Sequence, residues 1–445
     1  MRRRFFLALA AAACAQPAAA QPSPGTTPPS GSSLKPTDLL GASGDANFLA
    51  WLNDFYARSL AAGWARAVLD KELSGLSPDP RVVAHDASQP EFARPVGDYV
   101  NADVTPGAVR LGVLKRQTVP ELDKIARASG VPAEILVAIW GMESGFGASQ
   151  GDFDVVRSFA TLAAAGRRRG WAEDQLNACL KIITTGAATR SQLRGSWAGA
   201  MGQTQLLPAT FLTTAVNASG TGKPDIWGSA ADALASAAHL LAKAGWVTGQ
   251  GWAREVSLRR GFDYGLSEGP KETPLWWAEN GAIRADGGDW SAADAGAQAQ
   301  LVLPSGAEGP AFLVFPNHFV IRTYNNSLAY ALAVGLWADR LAGAAPLKTP
   351  WPHETPLSLT DRMDAQTALS KLGYNPGDVD GVVGLATRQA LRAYQKARGL
   401  VADGYLSPAM VQRLRGELRG GSATGEKPAG ATLSSAPRAA AHTSD

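Results

Sequence analysis

The chain has 445 residues, of which 45% are hydrophobic and 18% charged, and it carries a formal net charge of +3. At roughly 150 residues per domain this length predicts about three domains, and the apolar content excludes a chain that is disordered throughout. A charge so close to neutral gives no reason to expect nucleic acid as a partner, and it is compatible with an anionic polymer as a neighbour.

At the N-terminus Arg2, Arg3 and Arg4 precede an apolar run from Phe5 to Ala13 and the small residues Ala18-Ala19-Ala20. This order predicts a signal peptide over 1–20 and export of the mature chain. The run is too short to span a bilayer as a helix. Ala11-Ala12-Ala13-Cys14 loosely fits a lipoprotein signal, so anchoring through Cys14 is the secondary reading. Removal of the signal leaves Cys179 without an intramolecular partner, and its neighbours Leu176, Leu180, Ile182 and Ile183 mark it as a buried thiol. Residues 21–45, rich in Pro, Ser, Thr and Gly, read as a flexible tether.

The block 46–343 is helical by pattern. Phe48, Leu49, Leu52, Phe55 and Tyr56 recur at helical spacing, as do Leu234, Ala238, Leu241 and Ala242. Val131-Pro132-Ala133-Glu134 opens a helix with Pro and an acid in its first turn. That helix turns Ile135, Leu136, Ile139 and Met142 inward and places Glu143 at its C-terminal end. The helix dipole disfavours a carboxylate there and raises its pKa. From this stretch alone a frayed surface end and a proton-transferring carboxyl are evenly balanced. A Pro-rich linker, 344–356, leads to a compact segment, 357–418. Within it Leu372-Gly373-Tyr374 leads to Asp380-Gly381, and Gly399-Leu400 leads to Asp403-Gly404, an internal echo built on two tight-turn signals. A three-helix module fits, and 419–445, almost free of large apolar residues, reads as a disordered tail. His85, His239, His318, His353 and His442 show no H-E-x-x-H spacing, so a zinc site is not expected.

Four stretches carry a resemblance: Gly141-Met142-Glu143-Ser144-Gly145-Phe146-Gly147, the run from Gly195 to Gln205, Asp225-Ile226-Trp227, and the run from Thr323 to Tyr330. With Gly151-Asp152-Phe153-Asp154-Val155 they resemble, in order and spacing, the membrane-bound lytic murein transglycosylase B family. The resemblance covers roughly Phe48 to Leu341. The 357–418 module resembles the small peptidoglycan-binding domain of bacterial wall enzymes. The implied fold is mainly α: a helical α+β lysozyme-like catalytic domain followed by a small three-helix domain. The implied reaction cleaves the MurNAc–GlcNAc β-1,4 bond without water, the MurNAc 6-hydroxyl attacking its own C1 to leave a 1,6-anhydro end.

This chemistry accounts for a single carboxylate. Ordinary glycosidases need two, but here the substrate supplies the nucleophile, so Glu143 can act first as acid and then as base. Trp140, Met142 and Phe146 would raise its pKa. The resemblance implies substrate-binding roles for Ser196, Gln205, Tyr324, Asn325 and Tyr330. It implies no cofactor, glycan strands of peptidoglycan as the ligand, peptide stems as ligands of the C-terminal module, cell-wall synthesis enzymes as partners, and a periplasmic location.

The departures are specific. Some members carry an acidic calcium loop before the Asp-x-Trp motif, whereas this chain has Asn217, Thr221 and Lys223 there, so no metal is expected. Leu240 stands where some members place a cleft tyrosine, and Gly145 where a larger residue is usual. Two other readings compete: a hydrolytic muramidase using Asp152 or Asp154 as second carboxylate, and a non-catalytic wall-binding scaffold. The position of 265–296, with Trp276, Trp277 and Trp290, relative to any cleft is left open.

Overall fold

Residues 46–87 and 92–421 are described by a computed structural model. The expected signal peptide with Cys14, the expected 21–45 tether and all but the start of the expected 419–445 tail lie outside the described residues. The chain separates between Pro356 and Leu357 into two compact units.

In the first unit Pro132, extended at the N-cap, starts the helix Ala133–Ser144, which buries every residue from Ile135 to Trp140. A helix apolar on all sides belongs inside a core. Its neighbour is Leu328–Leu341, where the residues from Tyr330 to Ala338 are buried. Each large side chain so enclosed contributes about 1.5–3 kcal/mol. Gly335 allows the second helix to approach Trp252, since a Cβ there would lie 2.2 Å from the indole. A second core joins Ala46–Ala61, Val155–Ala165 and Arg169–Thr184 through Phe48, Leu52, Phe55, Phe159 and Leu176. Cys179 is buried in it as a free thiol, its pKa raised by burial.

A four-stranded antiparallel sheet interrupts the helices, in the spatial order Ala282–Arg284, Ala253–Leu258, Ala311–Val314, Gln300–Val302. Its registers pair Ser257 with Ile283, Ala253 with Val314 and Leu301 with Leu313. The 265–296 stretch belongs to this sheet's own core. Trp277 is fully buried beside Val256, Leu301 and Phe315 and donates to the Ala299 carbonyl at 2.8 Å. Its aromatic content serves packing.

The second unit consists of the helices Leu359–Lys371, Leu385–Ala397 and Pro408–Gly421 around Leu369, Leu391, Tyr394 and Leu414. The last helix runs three residues past the 418 expected as this module's end. The sequence echo has a structural counterpart. Gln366 accepts from Gly381 N at 2.8 Å and donates to Asp380, while Gln395 accepts from Gly404 N at 2.8 Å and donates to Asp403. Each Asp-Gly turn is thus held by a glutamine from the preceding helix.

Candidate active site

Glu143 sits in the last turn of Ala133–Ser144, and the chain leaves that helix through three consecutive left-handed residues, Gly145 (φ 58°), Phe146 (φ 64°) and Gly147 (φ 83°). Phe146 bears the cost of a non-glycine residue in this region. Its ring is held edge-on against Trp140 and Trp337, at 5.4 and 6.0 Å between centroids. Gly141 makes room for this packing, since a Cβ there would fall 2.5 Å from the Trp337 ring. The helix end is therefore wedged in place.

Gln203 ties that end to two other segments. Its amide oxygen accepts from Trp140 Nε1 at 2.9 Å, its amide nitrogen donates to the Trp227 carbonyl at 3.0 Å, and its own carbonyl accepts from Ser144 Oγ at 2.5 Å. Ser144 Oγ in turn accepts from Gly147 N at 2.8 Å. Three of the sequence motifs, those of Glu143, of Gly195–Gln205 and of Asp225–Trp227, meet at this one residue, the first through its backbone carbonyl and the last through its side chain.

The Glu143 residue is half-buried, but its carboxyl end is enclosed by protein. Tyr330, itself buried, donates to Oε1 at 2.6 Å. Burial pushes the Glu143 carboxyl up to about 7, against the opposing pull of the Tyr330 hydroxyl. The field of Glu143 in turn raises the already burial-raised pKa values of Tyr330, Tyr324 and Tyr99. Three tyrosines thus surround one carboxyl.

The residues singled out in the sequence divide into two groups. Glu143, Tyr324 and Tyr330 come together directly. Tyr324 donates to the Thr204 carbonyl at 2.5 Å, which brings it beside Gln205. Gln205 has φ 53°, and its amide donates to the Gly202 and Gln150 carbonyls at 2.8 and 3.1 Å. Asn325 ends the helix Pro316–Tyr324, and its Oδ1 is buried without a hydrogen-bond partner among the described residues. Such an acceptor costs about 1–3 kcal/mol unless a ligand or water satisfies it. Ser196 makes its side-chain bond within its own turn, accepting from Ala200 N at 3.1 Å.

Asp154 and Asp152 are committed elsewhere. Asp154 caps Val155–Ala165 through Arg157 N and takes a charge-assisted bond from Arg190 Nη2 at 2.7 Å. Asp152 is largely solvent-exposed and pairs with Arg81 at 3.2 Å.

Sequence reading missed Tyr99 and undervalued Gln203. Gln203 stands inside a quoted motif, but nothing in its spacing marks it as the junction between segments. Tyr99 lies on the separate helix Val96–Asp103, outside every motif, with Arg94 5.5 Å above its ring. Nothing in its local pattern marks it as a neighbour of Glu143. In the 217–225 loop, both oxygens of Asp232 are taken by the backbone amides of Ala218 and Asp225, at 2.9 and 2.8 Å. Asn217 donates to the carbonyl of Lys223 at 3.1 Å, so the loop is closed by its own hydrogen bonds.

Comparisons with known proteins bear on this arrangement. Residues 47–339 match the family described as "Transglycosylase SLT domain", and 358–414 match "Putative peptidoglycan binding domain". The chain is 30% identical over 239 residues to membrane-bound lytic murein transglycosylase B of Escherichia coli (strain K12), a match that covers 53% of this chain and 64% of that protein. The match therefore spans less than two thirds of that relative. Among solved structures, SltB3 of Pseudomonas aeruginosa in complex with NAG-anhNAM-pentapeptide superposes with a TM-score of 0.79 at 45% identity, covering 83% of this chain and all of that one. Escherichia coli Slt35 in complex with bulgecin A superposes with a TM-score of 0.56 at 26% identity, covering 70% and 98%.

Proposed function

Because the chain belongs to the transglycosylase SLT domain family, we propose that it is a lytic transglycosylase of peptidoglycan in which Glu143 is the single general acid and base. The observation that carries this reading is a carboxyl raised to about 7 by burial and held by Tyr330 at 2.6 Å. A general acid works best with a pKa near the operating pH, and enclosure by protein is how a glutamic acid reaches that value.

The steps balance around one carboxyl. Protonated Glu143 gives its proton to the glycosidic oxygen as the bond from that oxygen to C1 of MurNAc breaks. The ionised Glu143 then takes the proton of the MurNAc 6-hydroxyl as that oxygen bonds to C1. No water is consumed, and the carboxyl ends protonated, ready for another turnover. Tyr330 stabilises the anionic form between the two transfers. Tyr324 shapes the same wall, and the unpartnered Oδ1 of Asn325 suits an N–H or O–H of the sugar. Gln205 and Ser196 are proposed to form the facing wall, positioned by the loop bonds described above.

The 358–414 match supports a tether to the wall, which raises the local concentration of substrate without tight binding, and peptide stems are proposed among its ligands. The basic, apolar and small-residue order of the first twenty residues supports export to the periplasm. Mass spectrometry of digested sacculi tests the whole reading. The wild type should release 1,6-anhydro-MurNAc ends and Glu143→Gln should release none. Reducing ends would instead identify a hydrolase, and undiminished clearing by Glu143→Gln would leave only a scaffold.

A further inference from the structure

The helix Pro316–Tyr324 delivers Tyr324 to the catalytic cluster with its last residue, and its other exposed face lines a groove of about 450 Å³. Pro316, Phe319, Val320 and Thr323 form that wall, spaced as one helical stripe. Lys271, Gln298 and Gln300 stand across from it, and the floor is Ala244 and Gly245, where the helix Ala230–Lys243 has ended. Lys271 is exposed and lies 5.1 Å over the Phe319 ring. Among the described residues it has no carboxylate partner. The groove therefore combines one unpaired ammonium, two amide side chains able to bond a backbone, and an apolar floor and wall. It includes Thr323, directly before Tyr324 and Asn325, the residues proposed above to bind the glycan.

This combination suits an extended peptide that bears a carboxylate and is attached to something lying in the cleft. A polysaccharide alone would leave the cation without a counter-charge. We infer that the Lys271 groove holds the peptide stem of the same peptidoglycan strand whose glycan lies at Glu143, Lys271 pairing with a stem carboxylate. The inference rests on the transglycosylase reading for the identity of its occupant. It makes the catalytic unit itself a reader of peptide substitution, independent of the C-terminal module.

Binding by the full chain in a Glu143→Gln background, which does not consume the ligand, tests it. The probes are soluble glycan fragments with their stem peptides and the same fragments stripped of peptide by an amidase. An exposed ion pair gives up to about 1 kcal/mol, so Lys271→Gln should weaken binding of the peptide-bearing fragment about 2- to 5-fold and leave the stripped fragment unchanged. Lys271→Arg should restore the difference. Equal loss on both fragments, or loss on neither, overturns the inference. Product analysis on wild-type protein is read separately. Reducing ends would remove the transglycosylase reading while the peptide preference is still decided by Lys271.

Discussion

The Tyr330 hydroxyl donates to Glu143 Oε1 at 2.6 Å, from a helix that packs along the one carrying the glutamate. This bond favours the ionised carboxylate, so it opposes the upward push of burial. A hydrogen bond to a charged group is worth about 1.5–3 kcal/mol, or about one to two pH units. Tyr330→Phe should raise the Glu143 pKa further above 7. The alkaline limb of the kcat/KM profile, where the acid is lost, should move upward by that amount while the maximum rate falls. An unchanged limb would show that another group sets it.

Glu143 also costs stability at neutral pH. Its folded pKa of about 7 lies above the ordinary 4.5, so between these values the folded state binds more protons than the unfolded one. Stability must then decrease as pH rises through this window. Glu143→Gln removes the titration. At pH 8 the variant should be more stable than the wild type by on the order of 3 kcal/mol, and at pH 4.5 the two should nearly coincide. Denaturant melts at the two values check this, and a gain that does not change with pH would refute it.

Gln203 joins three motifs, and its removal should be costly far beyond its size. Gln203→Leu leaves Trp140 Nε1 without its partner, while the Trp227 carbonyl keeps the bond from Gln150 Nε2 at 3.1 Å. At about 1–3 kcal/mol for one buried orphan, a loss on the order of 1–3 kcal/mol is expected. Because the same side chain fixes the end of the Glu143 helix, kcat should fall as well. A loss of stability with kcat intact would mean that the helix end is held by the Phe146 wedge alone.

Much of this architecture was readable. The helix start at Pro132, the inward face of Ile135 to Met142 and the two Asp-Gly turns each follow from local rules of backbone and periodicity. The pairing of Glu143 with Tyr330, 187 residues away, follows from no local rule, and only the resemblance of motif order suggested it. The four-stranded sheet escaped because its strands are short and widely separated in sequence. Gln300–Val302 and Ala282–Arg284 have three residues each, too few for an alternation to register. Tyr99 escaped for the opposite reason, being a single residue whose meaning depends wholly on where its helix packs.

His318 predicts an acid limit to stability. It is fully buried against Trp252 and Phe319, and neither ring nitrogen has a partner among the described residues. Burial and, secondarily, the charge of Arg322 push its pKa down to about 3 from 6.5. Below 6.5 the unfolded chain takes up a proton that the folded one refuses, so this contribution is whole above 6.5 and is lost as pH falls toward 3. By pH 4.5 the loss is about 3 kcal/mol. His318→Leu should flatten the slope of stability against pH between 6.5 and 4.5, whatever its effect at pH 7.

Asp154 decides between the two carboxylate chemistries. Its oxygens are occupied by the Arg157 amide at the start of a helix and by Arg190. A water-activating base needs a free oxygen aimed into the cleft, and this carboxylate has spent its lone pairs on structure. Asparagine is as good an N-cap as aspartate, so Asp154→Asn should keep the helix start and lose only the charge pair with Arg190. A part-buried pair of this kind predicts a stability cost of about 1–3 kcal/mol. The products should still carry anhydro ends, and kcat should change less than threefold. Asp152→Asn, at an exposed ion pair, should change neither stability nor products. If either variant instead abolished turnover while remaining folded, the second carboxylate would be real and the attacking oxygen would come from water.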